Sequence, residues 1–237
     1  MKNIETLEKI ISWTNENSGF LSLILFAATI AYGWWSGLWS SLNKKPKLSI
    51  RFIDKVSFYS FYFTGEKWFN KELNTEFELH KTGFVSYMSI ANIGNKPTSI
   101  DKIYLGYEKN KPKSYWKKPK IEWLAQWHPA ENFLITNKSG HTIGVNNLRV
   151  KFNEIGSNSD SELNIGKSSV GVAYFEQVSA WGNLNPKTTE DDSIQVIIKI
   201  RDIYKKEYKF KTKLKKLPIE KARECNPHFG NVEKLFD

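Results

Sequence analysis

The sequence contains one cysteine, Cys225, and only four histidines in 237 residues. A single thiol makes no intrachain disulfide and cannot build a four-cysteine zinc site, so a disulfide scaffold and a zinc ribbon are both excluded. Arginine is scarce too: Arg51, Arg149, Arg201 and Arg223 stand against 31 lysines. The planar fork of arginine suits base edges, whereas lysine is a point charge for phosphates, so sequence-specific DNA reading is not expected. From Asn17 to Asn43 there is no charged residue at all. What is present is a high aromatic content of 14%, with nine tryptophans and 40% hydrophobic residues, which a disordered chain does not carry. Mean hydropathy is −0.48, too polar for a polytopic transporter.

The uncharged run has an apolar heart from Phe20 to Trp39. About 20 residues at roughly 1.5 Å each cross a bilayer core, so a transmembrane helix is expected over 18–42. A cleaved signal peptide is the competing reading, kept open by Ser36, Ser40 and Ser41. Lys44, Lys45, Lys47, Arg51 and Lys55 follow the run, against Lys2 and Lys9 before it. This asymmetry predicts an inner-membrane protein with its C-terminal part in the cytoplasm. Trp39 falls where an aromatic ring favours the headgroup layer. Gly33 and Gly37 form a GxxxG, extended by Ser36 and Ser40, a spacing through which two helices can associate into a homo-oligomer; such residues are also simply common in membrane helices. Ile4, Leu7, Ile10 and Ile11 recur at helical spacing, predicting a short amphipathic helix over 1–17.

A basic linker over 43–47 ends in Pro46, which cannot continue a helix. The rest reads as strands: Leu48, Ile50 and Phe52 alternate with polar residues, and runs at 56–63, 84–93, 98–107, 133–136, 148–152, 169–175, 193–202 and 206–214 are separated by turn residues. The expectation is a mainly β protein: an N-terminal transmembrane helix, then an antiparallel β-sandwich or barrel over 48–217. A short helix near Ile219–Cys225 within a tail of 218–237 follows. Residues 156–169 and 64–82 read as polar loops.

Asn92-x-Gly94-Asn95-x-Pro97-x-x-Ile100 follows the membrane helix, basic flank and first strands, and Asp202-x-Tyr204 leads into Tyr208. With these residues the chain resembles bacterial membrane-anchored β-sandwich proteins over about 20–107 and 194–210, which often carry a Gly in the turn where Lys205-Lys206 stands here. More loosely, it is similar to the membrane effectors of prokaryotic antiphage systems, which join membrane helices to a β-rich cytosolic sensor of a nucleotide signal. The resemblance implies fold and topology and assigns no catalytic residue.

Motifs for chemistry are thin. Ser161 to Ser168 mimics the end of a phosphate loop, but lacks the first Gly and precedes a strand-like run where a helix is needed. No HExxH or GxSxG occurs, and Glu190-Asp191-Asp192 lacks calcium-loop spacing. No enzyme activity, metal or cofactor is expected.

The charge of +10 is concentrated. Residues 109–120 hold Lys109, Lys111, Lys113, Lys117, Lys118 and Lys120 around Tyr115 and Trp116, with Trp123 and Trp127 just beyond. Residues 205–216 hold seven lysines and Glu207. Each segment carries +6, so the remainder sums to −2. In the second, Lys209, Lys211, Lys213 and Lys215 alternate with Tyr208, Phe210, Thr212 and Leu214, so a strand presents a basic comb on one face. Lysines with aromatic rings suit a phosphate-bearing, stackable ligand, a nucleotide, or anionic lipid headgroups. A solvated loop and a guarded edge strand have the same composition. The expected function is a membrane-anchored, non-enzymatic β-domain that binds an anionic ligand or surface, as in a ligand-responsive antiphage effector. The alternatives are an accessory subunit presenting its β-domain to a protein partner, and an outward-facing envelope protein.

Overall fold

A computed structural model describes residues 2–37, 44–110, 120–129, 131–136, 139–150, 161–180 and 182–231. The chain divides into two compact units, Met1–Lys45 and Pro46–Asp237.

The first unit is two helices, α1 (Lys2–Glu16) and α2 (Ser18–Trp35), joined at Asn17. Helical hydrogen bonding runs through the joint: the Asn17 N–H donates to Trp13 O at 3.0 Å and the Leu21 N–H to Asn17 O at 2.9 Å. Within α2 the hydroxyls of Ser22 and Thr29 donate to the carbonyls of Ser18 and Leu25, at 2.8 and 2.7 Å, which satisfies them without water. Leu23, Leu25 and Phe26 are exposed and only 6% of the helix is buried, unlike the core helix of a soluble protein. Among the described residues, α2 is the one helix long and apolar enough to cross a membrane. It ends earlier than the expected residue 42. The Ser36 N–H donates to Tyr32 O at 2.8 Å, and Gly37 follows at φ +74°. A left-handed Gly after the last turn is a helix stop. Gly37 therefore terminates the helix instead of sharing a packing stripe with Gly33. Trp39 lies outside the described residues, and Lys44 and Lys45 are exposed in extended chain.

The second unit is mainly β. Its strands are β1 (Leu48–Phe52), β2 (Phe58–Asn70), β3 (Thr75–Asn92), β4 (Thr98–Glu108), β5 (Ile121–Ala125), β6 (Phe133–Thr136), β7 (Thr142–Val145), β8 (Glu162–Leu163), β9 (Ser168–Glu176), β10 (Ser193–Asp202) and β11 (Glu207–Lys216); helix α3 (Ile219–Cys225) follows. The main sheet runs β1-β3-β2-β11-β10-β4-β5, with β9 on β3 and β8 on β4. β1 and β2 lie one after the other along one edge of β3, and β9 takes the other edge. Just past β5, Trp127 bridges to Tyr174 of β9, its N–H donating to Tyr174 O at 2.8 Å, so the strand order returns on itself. Pairing between named strands is antiparallel except where β11 meets β2, in parallel at Lys215–Phe58 and Lys216–Tyr59.

Successive residues of β2, β3 and β9 alternate between two cores. Tyr59, Phe84, Ala173 and Phe175 enter the first with Leu105, Tyr107, Ile198 and Leu214. Phe58, Val85, Val172 and Tyr174 enter the second, which Phe133 and Val145 of the β6–β7 hairpin and Ala222 and Phe229 near the C-terminus cover. Residues 82–86 and 171–177 are buried without interruption, polar Thr82, Ser86, Glu176 and Gln177 included, because both faces of these strands are covered. Each large side chain so buried contributes roughly 1.5–3 kcal/mol.

Three local expectations are corrected. Residues 64–82 are the long β2–β3 hairpin, not a loop, because Lys67 to Asn70 pair with Glu78 to Thr75. Residues 148–150 form no strand; the Leu148 N–H donates to Val172 O at 2.8 Å as extended chain, with Leu148 in the first core. The polar stretch 156–169 contains the short strand β8, paired at Leu163–Thr98, and the start of β9; residues 151–160 lie outside the described residues.

Candidate anion-binding face

The strands β11, β10, β4 and β5 bury only one face. Ile194, Val196, Ile198 and Ile200 enter the core, which turns Gln195, Ile197, Lys199 and Arg201 outward. By the same period of two, β4 turns out Tyr104, Gly106 and Glu108, and β11 turns out Lys209, Lys211, Lys213 and Lys215. Among the described residues no hairpin or helix covers this face, in contrast to the face of β2, β3 and β9.

Register assembles the side chains into rows. Lys211 lies opposite Ile197, Ile197 opposite Gly106, and Gly106 opposite Trp123. In the next row Lys209 faces Lys199 and Lys199 faces Tyr104. Lys213 faces Gln195, and Glu108 faces Ile121. An open concavity of about 350 Å³ follows, with Lys211 and Lys213 on one wall, Gln195 and Ile197 along β10, and Gly106, Ile121 and Glu108, whose carboxylate is paired with Lys187 at 3.1 Å, on the other side.

Gly106 makes the apolar side possible. A Cβ there would lie 2.8 Å from Trp123 Cζ3 and 2.9 Å from Ile121 Cγ2. Without it, the indole ring lies down across β4. Lys199 Nζ is 4.5 Å from the Trp123 ring centroid and 4.7 Å from that of Tyr104, a cation held over two ring faces.

The cations of this face fall into two groups. Lys199 is 3.3 Å from Glu207, and Lys209 is 4.0 Å from the same residue. Arg201 and Lys205 both reach Asp101, at 2.8 and 3.1 Å. Partial burial alone would raise the Asp101 carboxyl, but hydrogen bonds from Lys205 and Arg201 outweigh it and hold it below the ordinary carboxylate range. Lys211, Lys213 and Lys215 are exposed and make no ion pair with the described residues, so three charges about 7 Å apart along β11 remain available to an outside anion.

The 109–120 connection springs from this face. Lys109 continues the inward parity of Leu105 and Tyr107, so its side chain is buried and pairs with Glu122 on β5. Its charge is engaged inside the fold and is not offered to a ligand, a correction to its place in the expected site. The stem is pinned by the Asn110 N–H donating to Asn185 O at 2.7 Å and by the Tyr107 hydroxyl donating to Leu184 O at 2.8 Å. Lys120 is exposed beside Ile121. Lys111, Lys113, Tyr115, Trp116, Lys117 and Lys118 lie outside the described residues.

The residues of the resembled pattern have structural work. Buried Asn92 donates through Nδ2 to Lys96 O and Leu163 O, at 2.8 and 3.0 Å, and its Oδ1 accepts the Gly94 N–H at 3.0 Å. Asp202 accepts the N–H groups of Tyr204 and Lys206, both at 2.9 Å, and Tyr208 Oη lies 3.2 Å from it. Lys205 occupies the left-handed region at φ +65°, so this chain keeps the turn conformation natural to Gly with a lysine. The P-loop-like stretch turns at Gly166 into strand β9, with no helix to present N–H groups to a phosphate. Among the described residues, no group of three or more His, Cys, Asp or Glu side chains could hold a metal.

Gly106, Trp123, Ile197 and Gln195 were not among the residues expected from sequence to bind. A glycine inside the strand run 98–107 was the available signal, because it marks a close approach of another group. No family model and no curated protein sequence matches the chain.

Proposed function

We propose that this protein is a membrane-anchored, non-enzymatic binding module whose uncovered face on β4, β5, β10 and β11 takes an anionic, ring-bearing ligand of the nucleotide class. One observation carries the reading: Lys211 and Lys213, and the stem of the 109–120 connection a hundred residues earlier, meet at one concavity floored by Ile197, Gly106 and Ile121. Lysine charge serves the phosphates and the apolar floor serves a base. A flat bilayer surface offers nothing to fill a concavity, which favours a soluble ligand over a lipid headgroup. In this reading α2 spans the inner membrane, the β-domain is cytoplasmic, and ligand binding acts on the membrane helices, the arrangement of an antiphage effector.

Binding of ATP and of cyclic dinucleotides to the full-length protein in detergent, measured by calorimetry, tests the site. The expected result is binding that weakens with salt and is lost in Lys211→Ala/Lys213→Ala. Equal binding by that variant, or binding only to anionic vesicles, sinks the reading. A reporter fused after Asp237 tests the orientation.

A further inference from the structure

The β2–β3 hairpin continues well past the barrel. Beyond the Phe63–His80 pair, β2 and β3 pair only with each other, and residues 65–69 and 71–78 are exposed. The arm displays Phe63, Trp68, Phe69, Leu73 and Phe77 to solvent, at 66, 41, 49, 64 and 43% exposure. Trp68 and Phe77 stand directly opposite, ring centroids 6.2 Å apart. A two-stranded ribbon is at best marginally stable alone in water, and five exposed large apolar side chains on one arm gain by being covered.

The arm's charge selects the cover. Glu66, Glu72, Glu76 and Glu78 outnumber Lys67 and Lys71, and Lys67 is spent on Glu76 at 3.1 Å. A net negative arm is repelled by an anionic leaflet. It is complementary to Lys211, Lys213 and Lys215 of β11, beside a concavity with an apolar floor. These three are exposed and form no ion pair within 4 Å among the described residues, although Asp191 lies within electrostatic range of Lys213.

We infer that the arm of one chain docks on the β11–β10–β4–β5 face of a second copy, Phe69 and Leu73 entering the concavity while Glu72 and Glu78 meet Lys211 and Lys213. This rests on the reading of that face as an anion-binding surface and names a protein occupant for it. Arm and face are different surfaces of the same molecule, so one contact leaves a free face on one copy and a free arm on the other, which a reciprocal twofold dimer, a ring or an open chain would use. A small anionic ligand and the arm compete for the same two lysines.

Cross-linking of full-length protein in nanodiscs tests this, in a Cys225→Ser background. One tagged population carries Leu73→Cys, the other Gln195→Cys. The expected result on mild oxidation is a mixed disulfide between the populations. Glu72→Lys/Glu78→Lys on the arm abolishes it, and Lys211→Glu/Lys213→Glu on the facing chain restores it, which a merely misfolded variant would not do. No mixed disulfide, or one indifferent to charge reversal, overturns the inference. So does quenching of a fluorophore on Leu73→Cys by lipid-borne nitroxides, which assigns the arm to the bilayer. Binding of ATP and of cyclic dinucleotides is measured on the same samples. ATP binding without the mixed disulfide defeats the inference and leaves the small-ligand reading intact. A charge-dependent disulfide in protein that binds neither ATP nor a cyclic dinucleotide supports the inference and defeats the small-ligand reading.

Discussion

The Lys109 ammonium lies against the Glu122 carboxylate on the core side of the β4–β5 pair, with side-chain exposures of 8 and 30%. The pair ties the end of β4 to β5. A lysine that composition alone assigns to a ligand is therefore part of the β4–β5 scaffold.

Removing one partner is expected to be costly. Lys109→Met leaves the half-buried Glu122 carboxylate without its counter-charge, a loss of about 2–3 kcal/mol once the partial exposure of Glu122 is allowed for. In a domain of this size that lowers Tm by roughly 5–10 °C. Lys109→Met/Glu122→Gln is expected to recover most of the loss, because no charge is then stranded. Thermal melts of the full-length protein followed by circular dichroism read both; equal losses in the single and double variants would show that the pair is not coupled.

Gly106 separates packing from binding. In Gly106→Val the added carbons occupy the space of Trp123 Cζ3 and Ile121 Cγ2. The ring is lifted, the concavity is filled, and overpacking costs about 1–3 kcal/mol. Nucleotide affinity is expected to fall about tenfold or more, equivalent to about 1.4 kcal/mol, with a changed tryptophan emission. Gly144→Ala is the control, since nothing lies within 4 Å of its added Cβ. Unchanged affinity in Gly106→Val would move the ligand off this face.

Much of this fold is legible in the sequence. The alternation of 193–216 predicts the β10–β11 hairpin and which side chains it buries, because one face is wet and the period of two survives. The β2–β3 arm is not legible, since Thr64 to Glu78 is polar enough to read as a loop and only the Trp68–Phe77 and Lys67–Glu76 partnerships make it a ribbon. The candidate face is half legible. Lys211 and Lys213 follow from the comb, whereas Gly106 and Ile197 become site residues only through strand register. Gly37 shows the opposite failure: its spacing from Gly33 is that of a packing motif, but the helix has ended before it.

Asn92 is expected to be the most sensitive polar residue of the β-domain. It is fully buried and its amide links the β3–β4 turn to β8. Asn92→Ala strands two carbonyls and the Gly94 N–H, a loss of about 2–4 kcal/mol. Asn92→Asp keeps the acceptor but aims a carboxylate at the carbonyls of Lys96 and Leu163, so it is expected to be no better than alanine. An aspartate variant with native Tm would show that the amide's two donor bonds carry no stability.

The buried tyrosines set the alkaline limit. Burial, with the charges of Asp192 and Asp191 adding to it, pushes the Tyr59 hydroxyl up to about 12; burial and the Glu122 charge push Tyr107 up to about 12 against the lowering effect of its bond from Gln177. Below pH 10 both states keep these protons and the contribution to stability is complete. Between pH 10 and 12 only the unfolded chain loses them, so each tyrosine withdraws about 1.4 kcal/mol per pH unit. The domain is expected to unfold within that window, tyrosinate absorbance rising together with loss of the β-sheet dichroism. Tyr107→Phe removes one titrating group and is expected to reduce the pH slope of stability there by one proton, even though losing the bond to Leu184 O lowers stability throughout. Full tyrosinate absorbance near pH 10 with the sheet signal intact would place these hydroxyls in contact with solvent and refute the assignment.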